Sequence, residues 1–145
     1  MLNTLKLLLW VGAIFVPSIL HAAGFITPRC SVSTTPLNFG IYWGTSTLVS
    51  TAKIVVSCNL PATTRVQMDA GLHSFNFATR KMIFNQKTLN YNLYTNASRS
   101  NVWGDGTGGT WTVTGSQLTV HASIPGGQVV TPGTYNDTVV VTVIW

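Results

Sequence analysis

Residues 137–145 read Asp-Thr-Val-Val-Val-Thr-Val-Ile-Trp, with β-branched side chains at almost every position and no breaker. Branching at Cβ crowds a helical turn and suits a pleated surface, so the run predicts a β-strand. Alternate residues of a strand point to opposite faces. Val139, Val141, Val143 and Trp145 therefore share one face, and Val140, Thr142 and Ile144 the other. Both faces are mainly apolar, which predicts a strand covered on both sides. The sequence stops at Trp145 on residues of the buried type, and these are expected to be covered by the same domain or by a second chain.

No helical period appears after residue 23. Short alternating runs recur at residues 54–58, 65–70 and 81–84, separated by Gly, Pro, Asn and Ser. Leu89, Tyr91 and Leu93 then alternate with Asn90, Asn92 and Tyr94, and Leu118, Val120, Ala122 and Ile124 with Thr119, His121 and Ser123. About seven such strands in some 120 residues indicate an all-β sandwich of immunoglobulin-like type. The unequal connections disfavour an up-and-down barrel. Residues 96–110, rich in glycine, read as a surface loop, while Pro125-Gly126-Gly127 and Pro132-Gly133 mark turns. Tyr135, where the chain enters the last strand, is expected to pack its ring and place its hydroxyl on a backbone partner.

At 145 residues the chain holds one ordinary domain, and its front end is set apart from it. Lys6, the apolar run 7–16, the break at Pro17-Ser18 and Ala22-Ala23 form a secretory signal peptide over residues 1–23. About ten apolar residues are too few to span a bilayer, which takes about 20. The expected mature domain is residues 24–145, exported and without a membrane span. Its only cysteines, Cys30 and Cys58, are expected to form one disulfide in an oxidising compartment. The loop so closed contributes about 3–4 kcal/mol through chain entropy. Metal ligation is disfavoured, because His73 and His121 lie far from both cysteines and no second pair exists.

Charge excludes one class of partner. Beyond the signal the cations are Arg29, Lys53, Arg65, Arg80, Lys81, Lys87 and Arg99, and only Arg80 and Lys81 are adjacent. Without a basic stripe, nucleic acid is not an expected ligand, and the charges read as scattered and solvated. Catalysis is disfavoured too. The acids Asp69, Asp105 and Asp137 are widely spaced, and Gly115-Ser116 lacks the glycine pattern of a nucleophile elbow. No cofactor is expected. Trp103-Gly104-Asp105-Gly106 suggests a carbohydrate or calcium loop with Trp103, Asp105 and Asn101 as contacts. One carboxylate is few for calcium, which takes six to eight oxygens, so a tight turn with Trp103 lidding the core is the stronger reading. Asn96-Ala97-Ser98 and Asn136-Asp137-Thr138 match the glycosylation sequon, a motif too short to weigh much.

A set of segments in fixed order carries more. It comprises Cys30, Leu37-Asn38-Phe39-Gly40-Ile41-Tyr42, Ile54-Val55-Val56-Ser57-Cys58, Arg80-Lys81-Met82 and Leu89-Asn90-Tyr91-Asn92-Leu93-Tyr94. Val102-Trp103-Gly104-Asp105-Gly106, Ile124-Pro125 and the closing residues 133–145 complete it. The set resembles the spore coat protein U domain family, which includes subunits of archaic chaperone–usher pili, and it spans essentially the whole mature chain. The resemblance implies an incomplete sandwich lacking its final strand. Its C-terminal strand would border a groove filled first by a periplasmic chaperone and then, at an usher, by the N-terminal extension of another subunit. That is β-augmentation: backbone hydrogen bonds plus alternate side chains in pockets.

One departure bears on polymerisation. Only residues 24–29 separate the expected cleavage site from Cys30, and Pro28 cannot donate to a ladder. Six residues extend about 20 Å, and part of that must join the first strand. The chain is expected to accept a strand rather than give one, as the terminal subunit of a pilus-like surface fibre. The alternative is a free-standing secreted binding module that completes its own sheet.

Overall fold

A computed structural model describes residues 26–145, so the predicted signal peptide lies outside the described residues. The elements are β1 (Cys30–Thr34), β2 (Leu48–Cys58), β3 (Arg65–Met68), β4 (Arg80–Phe84), β5 (Lys87–Tyr94), β6 (Val113–Thr114), β7 (Gln117–Ile124) and β8 (Val141–Ile144). They form an all-β sandwich. One sheet has the order β1-β2-β7-β5-β4 and the other β6-β3-β8, with every strand pair antiparallel.

The strands form where alternation supplies one apolar face. On β2, Ala52, Ile54 and Val56 are buried while Thr51, Lys53 and Val55 are exposed. Val66 and Met68 from β3, Leu89, Tyr91 and Leu93 from β5, and Val120, Ala122 and Ile124 from β7 meet them in one core. β4 and β5 turn over Asn85 and Gln86, both at positive φ (46° and 63°), the mirror-image turn that matches strand twist in a two-residue hairpin.

Three expectations are corrected by the fold. The glycine-rich stretch 96–110 is not wholly surface: Val102 bridges Tyr94, and Trp103, paired to Trp111, is completely buried. Gly104 follows it because a Cβ there would stand 2.6 Å from the Thr110 side chain. Next, the last strand is regular only over Val141–Ile144, and its outer face is open: Val140 and Ile144 are exposed. Residues 137–140 pair instead with the loop after β3, through Asp69 N–H to Val140 O (3.1 Å) and Leu72 N–H to Thr138 O (3.0 Å). Finally, Arg80 is not a solvated charge. It is fully buried.

Candidate functional site

β8 lies at the edge of its sheet, paired only with β3. Backbone groups of successive strand residues point to opposite edges, which fixes what each side of β8 presents. Met68 N–H turns away from β8 to Gly104 O (3.2 Å), whereas Asp69 N–H turns toward Val140 O. Gln67 and Arg65 share the orientation of Asp69 and stand opposite Thr142 and Ile144. Val140, Thr142 and Ile144 therefore direct their backbone groups at the β3 side. Those of Val139, Val141 and Val143 face the open edge, with no partner strand among the described residues.

Beside that edge is a cleft of about 430 Å³. Its walls are Thr34 at the end of β1, the following residues 35–40, and residues 134–137, with Val139 and Val141. Its floor is the core itself: Ala52, Ile54, Met68, Met82, Leu93 and Val120 line it. Val32 shows the same lack of cover. It stands opposite the buried Val56 and so faces inward, yet it is 45% exposed. At one end Tyr42 and Gly133 exchange backbone hydrogen bonds (3.0 and 3.2 Å). At the other the Trp145 indole N–H donates to Pro28 O at 3.0 Å.

The edge of β1 is held by covalent and backbone links. Cys30 and Cys58 are disulfide-bonded at the end of the β1–β2 pair. Arg29 N–H donates to Asn59 Oδ1 (2.7 Å), and Asn59 N–H returns a bond to Arg29 O (3.0 Å). Pro36 removes a ladder donor just after β1, where the chain leaves β2 to cross toward Gly133.

A polar cluster sits at the upper end of the cleft. Asp137 accepts the Tyr91 hydroxyl on Oδ2 (2.6 Å) and Leu72 N–H on Oδ1 (3.0 Å). Asp69 Oδ1 accepts Gly71 N–H and Val140 N–H, both at 3.0 Å. Gly71, at φ 85°, passes so close that a Cβ would collide with the Asp137 carboxylate. Burial, reinforced by the hydrogen bond to Asp137, pushes the Tyr91 phenol well above its ordinary range. Arg80 Nε and Nη2 donate to Asp69 O (3.0 and 2.7 Å), Nη1 to Asn92 Oδ1 (2.7 Å), and Nη2 also to Trp103 O (2.6 Å). Desolvation lowers the Arg80 pKa, an effect opposed by the nearby Tyr91 and Asp69.

Of the residues singled out from the sequence, Val139 and Val141 line the cleft and Val143 continues their half-buried row. Trp145 does not join that row: it is 55% exposed, and its indole reaches the segment before β1. In the candidate ligand loop Trp103 is buried, whereas Asp105 stays at the surface and bonds within its own turn. The Trp103 indole N–H donates to Val66 O (3.1 Å) inside the core, and Asp105 Oδ1 accepts both the N–H and the hydroxyl of Thr107 (2.8 and 2.6 Å). Those Thr107 bonds lower the Asp105 pKa. Among the described residues no cluster of His, Cys, Asp and Glu could hold a metal ion, and no helix is long and apolar enough to cross a membrane. Tyr135 packs beside Phe84 and donates its hydroxyl to Thr131 O at 2.8 Å. The Arg80 and Tyr91–Asp137 groups escaped the sequence reading. For Arg80 a signal existed: it shares its strand face with Met82, two residues on.

Comparison with protein families matches residues 17–142 to the Spore Coat Protein U domain. Among solved structures, a similar chain comes from the crystal structure of the CsuC–CsuE chaperone–tip adhesion subunit pre-assembly complex from archaic chaperone–usher Csu pili of Acinetobacter baumannii. The TM-score is 0.58 at 22% identity, over 82% of this chain and 40% of that one, so the present chain spans well under half of its neighbour's length. The comparison with curated proteins returns no match.

Proposed function

Since the chain belongs to the Spore Coat Protein U domain family, we propose that it is an exported structural or adhesive subunit of a chaperone–usher pilus-like assembly. Its domain, residues 24–145 after signal cleavage, lacks one strand and accepts it along β8. A periplasmic chaperone supplies the strand first, and another subunit replaces it at the usher. The observation that carries this reading is the coincidence of two deficits: the unpaired backbone edge of Val139, Val141 and Val143 runs beside a cleft floored by core side chains. One extended strand would remedy both, with hydrogen bonds to the edge and alternate side chains in the cleft. The neighbouring tip adhesion subunit was crystallised with a chaperone, which fits the same reading.

We place the subunit at the end of the fibre, a reading that the residues before β1 support. Pro28 and Arg29 are tied to their own domain, through Trp145 and Asn59, and are not free to reach a second subunit. The experiment is expression of the exported protein with and without a chaperone encoded beside it. Accumulation of folded protein only in its presence is the expected result, as is failure of a peptide copying residues 24–29 to replace the chaperone. A stable monomer with a sharp two-state melt and no partner would sink the proposal and favour a self-completed sandwich.

A further inference from the structure

Resting on the acceptor-cleft reading, we propose that the cleft selects a strand that bears a basic side chain two positions beyond its apolar residues, where it meets Asp137. Burial alternates without a break from Asp137 to Ile144, so Asp137 belongs to the same inward row as Val139, Val141 and Val143. It also lines the cleft. The row thus reads carboxylate, valine, valine, valine, over about 20 Å.

The carboxylate is short of donors. It receives two neutral ones, the Tyr91 hydroxyl and Leu72 N–H, although an ionised carboxylate offers about four lone-pair sites. The nearby cation does not supply the rest, because Arg80 directs its donors to the carbonyls of Asp69 and Trp103 and to Asn92. Asp69 is likewise bonded only to backbone N–H groups, so two carboxylates stand near one guanidinium and leave a net negative charge. Lys53, on the opposite wall, belongs to the exposed outer row of β2. A strand laid in the cleft strips water from Asp137, and a carboxylate so desolvated is unfavourable unless the strand brings its own donor. A lysine or arginine there forms a charge-assisted bond, whereas a leucine leaves the oxygens bare and a glutamate repels them. Read from the Asp137 end, the occupant's pattern is basic, any, apolar, any, apolar, any, apolar.

The test refolds the disulfide-bonded mature protein with synthetic strand peptides. Each carries three alternate apolar residues and Lys, Leu or Glu at the outer position, in both chain directions. The Lys peptide is expected to bind roughly tenfold or more tighter than the Leu peptide, with the Glu peptide weakest. The preference should shrink as salt rises and vanish in Asp137→Asn. The salt series on unaltered protein decides the matter even where that variant folds poorly. Equal binding of the three peptides, or a Lys preference that persists in folded Asp137→Asn, overturns the inference while leaving the acceptor reading intact. Failure of every peptide to bind overturns the acceptor reading itself.

Discussion

Arg80 shows how much of this molecule hangs on a single side chain. Its guanidinium joins β4 to the loop after β3, to Asn92 on β5 and to the Trp103 carbonyl, and it lies 5.4 Å from the Phe77 ring centroid. Arg80→Met fills similar space but leaves the Asp69 and Trp103 carbonyls without the guanidinium and Asn92 Oδ1 with Leu93 N–H alone, and should cost roughly 3–5 kcal/mol in urea unfolding of the strand-filled protein. Tyr91 makes a second, pH-dependent case. Tyr91→Phe removes a hydroxyl bond to a carboxylate, worth roughly 1–3 kcal/mol at neutral pH. Because the folded-state pKa is raised above the ordinary 10.0, only the unfolded chain releases its proton just above pH 10. The native state then holds more protons, and stability falls as pH rises. The advantage of Tyr91 over Phe should be constant from neutral pH to about pH 10 and narrow above it, as paired melts would read. Neither residue's role could be read from its letter alone. The strand period placed Tyr91 inside, but the partners of Arg80 and Tyr91 come from loops remote in sequence.

At the scale of elements, the alternating runs were legible because a two-residue period needs only local information. β7 occupies residues 117–124 as the pattern predicts, and β2 runs to Cys58 as expected. The last strand was less so. Its first half is diverted by the Asp69 and Asp137 carboxylates onto the loop after β3, through bonds between residues 65 and 71 positions apart in sequence. What the pattern did reveal is which residues share a face, and that carries a test. Val143 is half-buried on the row beside the open edge, whereas Thr142 points outward into solvent. Val143→Asp would place an unpaired charge where an entering strand must exclude water, and should weaken strand binding roughly a hundredfold or more. Thr142→Asp should change it little, since surface substitutions usually stay within about 0.5 kcal/mol. Equal loss in both variants would mean that the entering strand does not contact the inward row.

For the whole molecule, the sandwich is continuous on one side and open on the other. The five-stranded sheet covers its half of the core, while the three-stranded sheet ends at β8, so Val32 stays uncovered and the cleft reaches Ile54 and Met82. The family resemblance implied an open groove, but no residue pattern locates it; only the relation of the two sheets does. A domain built this way should gain much of its stability from its occupant. At free peptide concentrations a hundredfold above Kd, linkage adds about 2.7 kcal/mol to unfolding. In a domain of this size that raises the melting midpoint by roughly 10 °C. The shift should grow with the logarithm of peptide concentration, because the ligand binds only the folded state. A scrambled peptide of the same composition, lacking the alternation, should give almost none of it, since half its apolar groups would face solvent instead of the cleft. A midpoint that is already high without peptide and unmoved by either sequence would mean that β8 is not short of a neighbour.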